Sequence, residues 1–122
     1  MIFLKKQIGQ HGEDLAVVYL KQQGYRILER NFKTKYGEID IIAQEGSTLC
    51  FVEVKTRSSE DYGTPFESIS KPKQYKLSRV ALGYLKYKKL FDVEARFDVI
   101  SVLKEKGTDY KIEIIKDAFD LT

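Results

Sequence analysis

Cysteine and histidine are almost absent from this chain, with Cys50 and His11 the single representatives of their kinds. One cysteine excludes an intrachain disulfide, and its place inside an apolar run makes Cys50 a small core residue before it makes it a nucleophile. One histidine excludes a metal site built from several imidazoles, and His11 reads as a solvated helix residue. No stretch approaches the ~18 consecutive apolar residues that a membrane-crossing helix needs. The opening Met-Ile-Phe-Leu-Lys-Lys turns polar too soon for the apolar region of a signal peptide. A soluble, cytoplasmic protein without a membrane partner is the expectation. Repeats, linkers and low-complexity segments are missing as well. Acidic residues are missing from one long segment, residues 71–90.

What is present describes a folded protein. Of 122 residues, 43% are hydrophobic and 32% charged, which excludes a disordered chain, and the length fits one domain over residues 1–122. The net charge of +3 is too small to point to nucleic acid by itself. Its distribution along the chain is more informative.

Residues 37–57 hold two runs of period 2 joined at Gly46-Ser47, the pattern of a β-hairpin. With Gly46 and Ser47 as the central turn residues, Glu45 faces Thr48, Asp40 faces Glu53, and Glu38 faces Lys55. Directly opposed side chains have Cβ atoms ~5 Å apart. Two full negative charges that close repel by roughly 3 kcal/mol at an effective dielectric of about 20. Water or Lys55 relieves part of this, and a divalent cation relieves it best, since Mg²⁺ is commonly held by one or two carboxylates with waters and phosphates. Alternation puts Phe51, Glu53, Lys55 and Arg57 on one face and Val52, Val54 and Thr56 on the other. One reading leaves Asp40, Glu53 and Lys55 on the solvated face of a half-exposed hairpin. Against it stand the apolar Ile39, Ile41, Ile42 and Ala43, and Leu49 to Val52 with Val54, which mark central strands covered on both sides.

Before the hairpin, residues 7–23 carry Ile8, Leu15, Ala16, Tyr19 and Leu20 at helical spacing, ended by Gly24. Glu13 and Asp14 in its opening turns complement the helix dipole. Tyr25–Phe32 reads as a strand with Tyr25, Ile27 and Phe32 turned inward, and Lys33 to Gly37 as a basic connecting loop. After Arg57 comes an aperiodic loop of about a dozen residues, to Ser70, at a length where loops are often functional. It is expected to be flexible without substrate and to close over the site or over a second subunit. Residues 71–90 form a second helix with Pro72 in its first turn and Leu77, Val80, Ala81, Tyr84 and Leu85 inward. Lys71, Lys73, Lys76, Arg79, Lys86, Lys88 and Lys89 make it wholly basic. Such a stripe is either a solvated face or a track for a polyanion. Tyr75, Tyr84 and Tyr87 are able to stack on bases, with helix packing the simpler use of Tyr84. Ala95–Leu103 is a further strand, residues 104–109 a polar turn, and Tyr110–Lys116 a last strand whose alternating charges suit a protected edge. Asp98 is read as structural, paired with Arg96 or a backbone donor.

Gly37-Glu38-Ile39-Asp40-Ile41-Ile42-Ala43 followed by Phe51-Val52-Glu53-Val54-Lys55 resembles the signature of the YraN-like family. These are small bacterial proteins described as predicted endonucleases related to Holliday-junction resolvases, within a superfamily marked by Asp, a gap, then Glu-x-Lys. The resemblance covers nearly the whole chain. It implies a restriction-endonuclease-like α/β core, a mixed central sheet flanked by helices in the order α-β-β-β-α-β-β. It also implies accessory site roles for Glu13, through the Gly12-Glu13 pair, and for Gln74, through Lys73-Gln74.

The leading expectation is a Mg²⁺- or Mn²⁺-dependent endonuclease acting on DNA, with branched or single-stranded structures among its substrates. Asp40, Glu53 and the Val54 carbonyl are the expected metal ligands, and Lys55 the residue that orients or deprotonates the attacking water. Arg57, Lys71, Lys73, Lys76 and Arg79 are the expected phosphate contacts. The alternative is a binding or scaffold module that keeps the nuclease fold without turnover. A homodimer follows by analogy with resolvases, since a junction needs paired cuts.

Overall fold

Leu, Lys and Gln are good helix formers, and the first residues of the chain contain no breaker. The first helix therefore begins well before residue 7: α1 runs Ile2–Gln22. The computed structural model of the chain describes residues 2–58, 69–104 and 110–122, with side chains from residue 11 onward. Leu20 and Ala16 are fully buried, and Leu15 and Tyr19 pack beside them, so the expected stripe is the inward one. Ile8 lies outside the described side chains.

Three antiparallel strands follow, β1 (Arg26–Thr34), β2 (Gly37–Glu45) and β3 (Thr48–Ser58). β1 outlasts its expected end because the connection to β2 is a tight turn, with Thr34 paired to Gly37. The turn residue Gly37 has φ +147°, a backbone that other residues rarely adopt. α2 (Lys71–Tyr87) then crosses over to β4 (Ala95–Lys104), which pairs parallel to β3, and β5 (Tyr110–Phe119) returns antiparallel along the far edge. The sheet order is β1-β2-β3-β4-β5, so β3 is central and β5 an edge, as its charges suggested.

α2 stops three residues short of the expected end. Lys89 takes a left-handed φ of +56°, and Leu90 N–H returns to the Leu85 carbonyl at 2.9 Å, with Lys89 N–H on the Lys86 carbonyl. This is a Schellman cap built on lysine where glycine is usual, so no residue type announced it. At the other end Ser70 caps the helix, its Oγ accepting from Lys73 N–H.

Two apolar layers sandwich the sheet. On one face α1 covers Ile41, Ala43, Cys50, Val52, Ile100 and Val102. On the other, Leu77, Val80, Ala81 and Tyr84 of α2 cover Ile39, Ile42, Phe51 and Phe97. Tyr84 stands edge-on to Phe32 and Phe51, confirming packing as its use, and Phe32 faces this second layer where Tyr25 and Ile27 face the first. Each fully buried Leu, Ile or Val here contributes about 1.5–3 kcal/mol. Cys50 lies wholly within the first layer, and burial pushes its thiol up to about 11. His11 is exposed, edge-on to Tyr110. The long loop's residues 59–68 and the turn's residues 105–109 lie outside the described residues, and with them the expectation of loop closure.

Candidate active site at the fork of the central hairpin

The β2–β3 ladder keeps the expected register from Glu45↔Thr48 to Ile41↔Val52 and then stops. The next position belongs to Asp40. Its carboxylate replaces a backbone acceptor, Oδ2 taking the N–H of Val54 at 2.8 Å. The two strands thus part around Asp40 and Glu53. The further expected pair, Glu38 with Lys55, falls beyond the regular ladder. Glu38 instead pairs with Lys33 in β1, ammonium to carboxylate at 3.8 Å.

Asp40 is pushed up to about 7, chiefly by burial and then by the negative charge of Glu53. The Val54 N–H opposes this, and Glu13 and Glu38 add to it. The repulsion expected from strand register is therefore present. It is partly relieved by a residue assigned to flanking phosphates: Lys73 Nζ donates to Glu53 Oε1 at 2.9 Å. Glu53's side chain is only 12% exposed, so this ion pair is partly desolvated.

Glu13 reaches the fork from α1. Gly12 makes this possible, because a Cβ there would collide with Thr56 Oγ1, and the helix lies directly on β3. Burial raises the Glu13 pKa, against the pull of Arg30 and with the help of Glu38, Asp14 and Glu53. Asn31, at a left-handed φ of 54° that asparagine tolerates, joins α1 to β2. With its amide turned to donate, it reaches Glu38 at 2.7 Å and Glu13 at 3.1 Å. Arg30 completes the link, bonding Asp14 at 2.8 Å. Neither Asn31 nor Glu38 was a candidate from sequence, although Glu38 stands within the motif.

Lys55 and Arg57 follow Glu53 along β3 by alternation, on the face that Phe51 presents to α2. Beside Lys55 on β4 is Ser101, buried, whose Oγ has no hydrogen-bond partner among the described residues. Gln74 is buried and donates from Nε2 to the Ile69 carbonyl at 2.8 Å, anchoring the chain where it enters α2. Lys71 and Lys76 are exposed, and Lys76 lines a cleft with Lys73. Arg79 is drawn away: it bonds the Thr122 carbonyl at 3.0 Å and lies over the Tyr75 ring.

No three His, Cys, Asp or Glu side chains among the described residues form a ready-made metal cage. The ligands expected from sequence, two carboxylates and a carbonyl, would offer hard oxygens of the number Mg²⁺ or Mn²⁺ takes from protein when waters and phosphate supply the rest. Such a cation fits the residues present.

Asp98, which pairs with Val52 on the neighbouring strand, keeps to a separate network. Fully buried, it accepts from Arg96 Nε at 2.9 Å and from Asp117 N–H at 3.0 Å, holding the β5 bulge at Asp117. Arg96 continues to Glu45 at 2.8 Å, and Glu45 to Lys116. The structural reading of Asp98 holds.

Five strands in one mixed sheet, helices on both faces and the order α-β-β-β-α-β-β define a mixed α/β domain of the expected order, with acidic residues at the fork of its central hairpin. The chain belongs to the family described as "Uncharacterised protein family UPF0102", whose model matches residues 12–102, which bears out the YraN-like resemblance. It is similar to the UPF0102 protein of Syntrophus aciditrophicus (strain SB), 49% identical over 125 residues covering 99% of this chain and 97% of the relative. The UPF0102 protein of Geotalea daltonii is 51% identical over 116 residues, 95% of this chain and 91% of the relative. That of Dictyoglomus turgidum is 47% identical over 115 residues, 93% and 98% respectively. Among the described residues no helix is long and apolar enough to cross a membrane.

Proposed function

We propose that this protein is a metal-dependent endonuclease that hydrolyses phosphodiester bonds in DNA. The observation that carries the reading is the forked hairpin, where Asp40 and Glu53 are brought into mutual repulsion with Lys55 two positions further along the same strand face. A structural ion pair has no use for a second, half-buried carboxylate whose ionisation its neighbour opposes.

Asp40, Glu53 and the Val54 carbonyl would hold Mg²⁺ or Mn²⁺. When bound there, the cation supplies Lewis-acid polarisation of the scissile phosphate and a water of lowered pKa. Lys55 positions the attacking water and faces the negative charge that builds on the phosphoryl oxygens. Glu13 adds a carboxylate from α1. Gln74 acts as a positioning residue, since its amide is committed to Ile69 and fixes the start of α2, from which Lys73 reaches Glu53. Lys73, Lys76, Lys71 and Arg57 are the cations on the phosphate track, from which the bond to Thr122 removes Arg79.

The test is cleavage of junction, flap, single-stranded and duplex DNAs with Mg²⁺ and Mn²⁺, comparing wild type with Asp40→Ala and Lys55→Ala. Metal-dependent cutting lost in both variants supports the reading. Salt-sensitive binding without cutting by wild type would instead make this a binding module on a nuclease fold.

A further inference from the structure

Next to the carboxylates lies a cleft of about 340 Å³ between the β1–β2 turn and the first turns of α2. Its apolar wall is Tyr36 on one side and Pro72, Leu77 and Val80 on the other, and Lys73 and Lys76 are its cations. Glu38 also lines it, and Lys73 links it to the fork through its bond to Glu53. The size is that of a small-ligand site, below that of a duplex groove.

Tyr36 is displayed in a way that packing does not require. Its side chain is about half exposed, although β2, which begins at the next residue, buries Ile39, Ile41, Ile42 and Ala43. The backbone that carries it is held by a hydrogen bond, Tyr36 N–H on Thr34 Oγ1 at 3.1 Å. Lys35 Nζ lies 5.3 Å from the ring centroid. A held aromatic ring facing an apolar wall, with ammonium groups at the rim, matches the chemistry of a nucleotide: a flat base for the ring and phosphates for the lysines.

Bases inside a duplex have both faces already stacked and cannot enter such a cleft, whereas an unpaired or extruded base can. We infer that the Tyr36 cleft binds one unpaired base of a DNA strand, with the adjoining phosphates on Lys73 and Lys76. This places the strand's next phosphates towards Asp40 and Glu53, and makes DNA with unpaired nucleotides beside the scissile bond the preferred substrate. The inference deepens the nuclease reading and rests on it for the identity of the polyanion.

The experiment uses the full chain in EDTA, so that binding is read without cutting. The probes are a single-stranded oligonucleotide carrying 2-aminopurine and the duplex of the same sequence. Wild type is expected to bind the single strand more tightly and to quench the 2-aminopurine emission. Tyr36→Ala is expected to lose about tenfold in single-strand affinity, and the quenching, with duplex affinity unchanged, while Tyr36→Phe keeps both. Should the alanine variant not fold, Tyr36→Leu keeps the apolar bulk and removes the stacking ring. Equal affinity of wild type for both DNAs, or an equal loss on both in the variant, overturns the inference. The two readings fail separately. Quenching by a wild type that cuts nothing with Mg²⁺ or Mn²⁺ overturns the nuclease and supports the cleft. Cutting that Tyr36→Ala leaves intact on every substrate overturns the cleft and leaves the nuclease standing.

Discussion

Asp40 carries its carboxylate at about 7, far above the ~3.9 of an unfolded chain. The native state therefore holds more protons than the unfolded state between those values. The contribution of Asp40 to stability is fully present below about pH 4, is lost as pH rises and levels off above about 7. Asp40→Asn, which keeps an acceptor for Val54 N–H without the charge, is expected to flatten most of this fall. Thermal unfolding of both proteins between pH 4 and 8 checks it, the gap between them widening in favour of the variant as pH rises. A smaller slope from Glu13, also raised, remains. Added Mg²⁺ should narrow the gap by favouring the ionised carboxylate. At this scale the sequence was informative about Asp40 and Glu53, because strand register alone opposes them. It was silent about Lys73 on Glu53, since nothing local relates a helix's first turn to a strand twenty residues earlier. Tyr36 was hidden for the same reason, its wall being formed by α2.

The elements are joined at two points that make opposite demands on side-chain size and charge. α1 lies on β3 through Gly12, and Gly12→Ala forces the helix off Thr56, at about 1–3 kcal/mol for overpacking. Adding Thr56→Ala should recover much of that loss, which a double-mutant cycle by urea unfolding measures. β4 and β5 are joined through Asp98, and Asp98→Ala leaves Arg96 Nε and the Asp117 amide without their acceptor beside a buried gap, at about 1–3 kcal/mol for each unsatisfied donor. Element types and order were readable from periodicity, because each strand alternates and each helix carries a stripe. The ends were less so. α2 closes on Lys89 without a glycine, and β5 runs past Lys116 to Phe119 because Asp98, nineteen residues before, accepts the Asp117 amide.

For the whole molecule, a net charge of +3 conceals a basic helix against an acidic fork. If that helix is the DNA track, the triple variant Lys71→Ala, Lys73→Ala, Lys76→Ala should flatten the salt dependence of binding. The log–log slope falls by about 0.7 for each phosphate no longer neutralised on a single strand and about 0.9 on a duplex. An unchanged slope would move the track elsewhere. The sheet's connectivity also divides the chain in time. β1, β2 and β3 meet through short turns, whereas every β3–β4 pair, from Leu49↔Ala95 to Ser58↔Lys104, closes a loop of more than a third of the chain. Loop closure is slow and local pairing fast, so the hairpin is expected in the folding nucleus and the parallel pair after it. Ile41→Val should then mainly slow refolding, and Ile100→Val mainly hasten unfolding, in a chevron analysis of the two fully buried positions. The amide of Val54 thus meets the carboxylate of Asp40 early, and the fork is set before the strand that completes the sheet has docked.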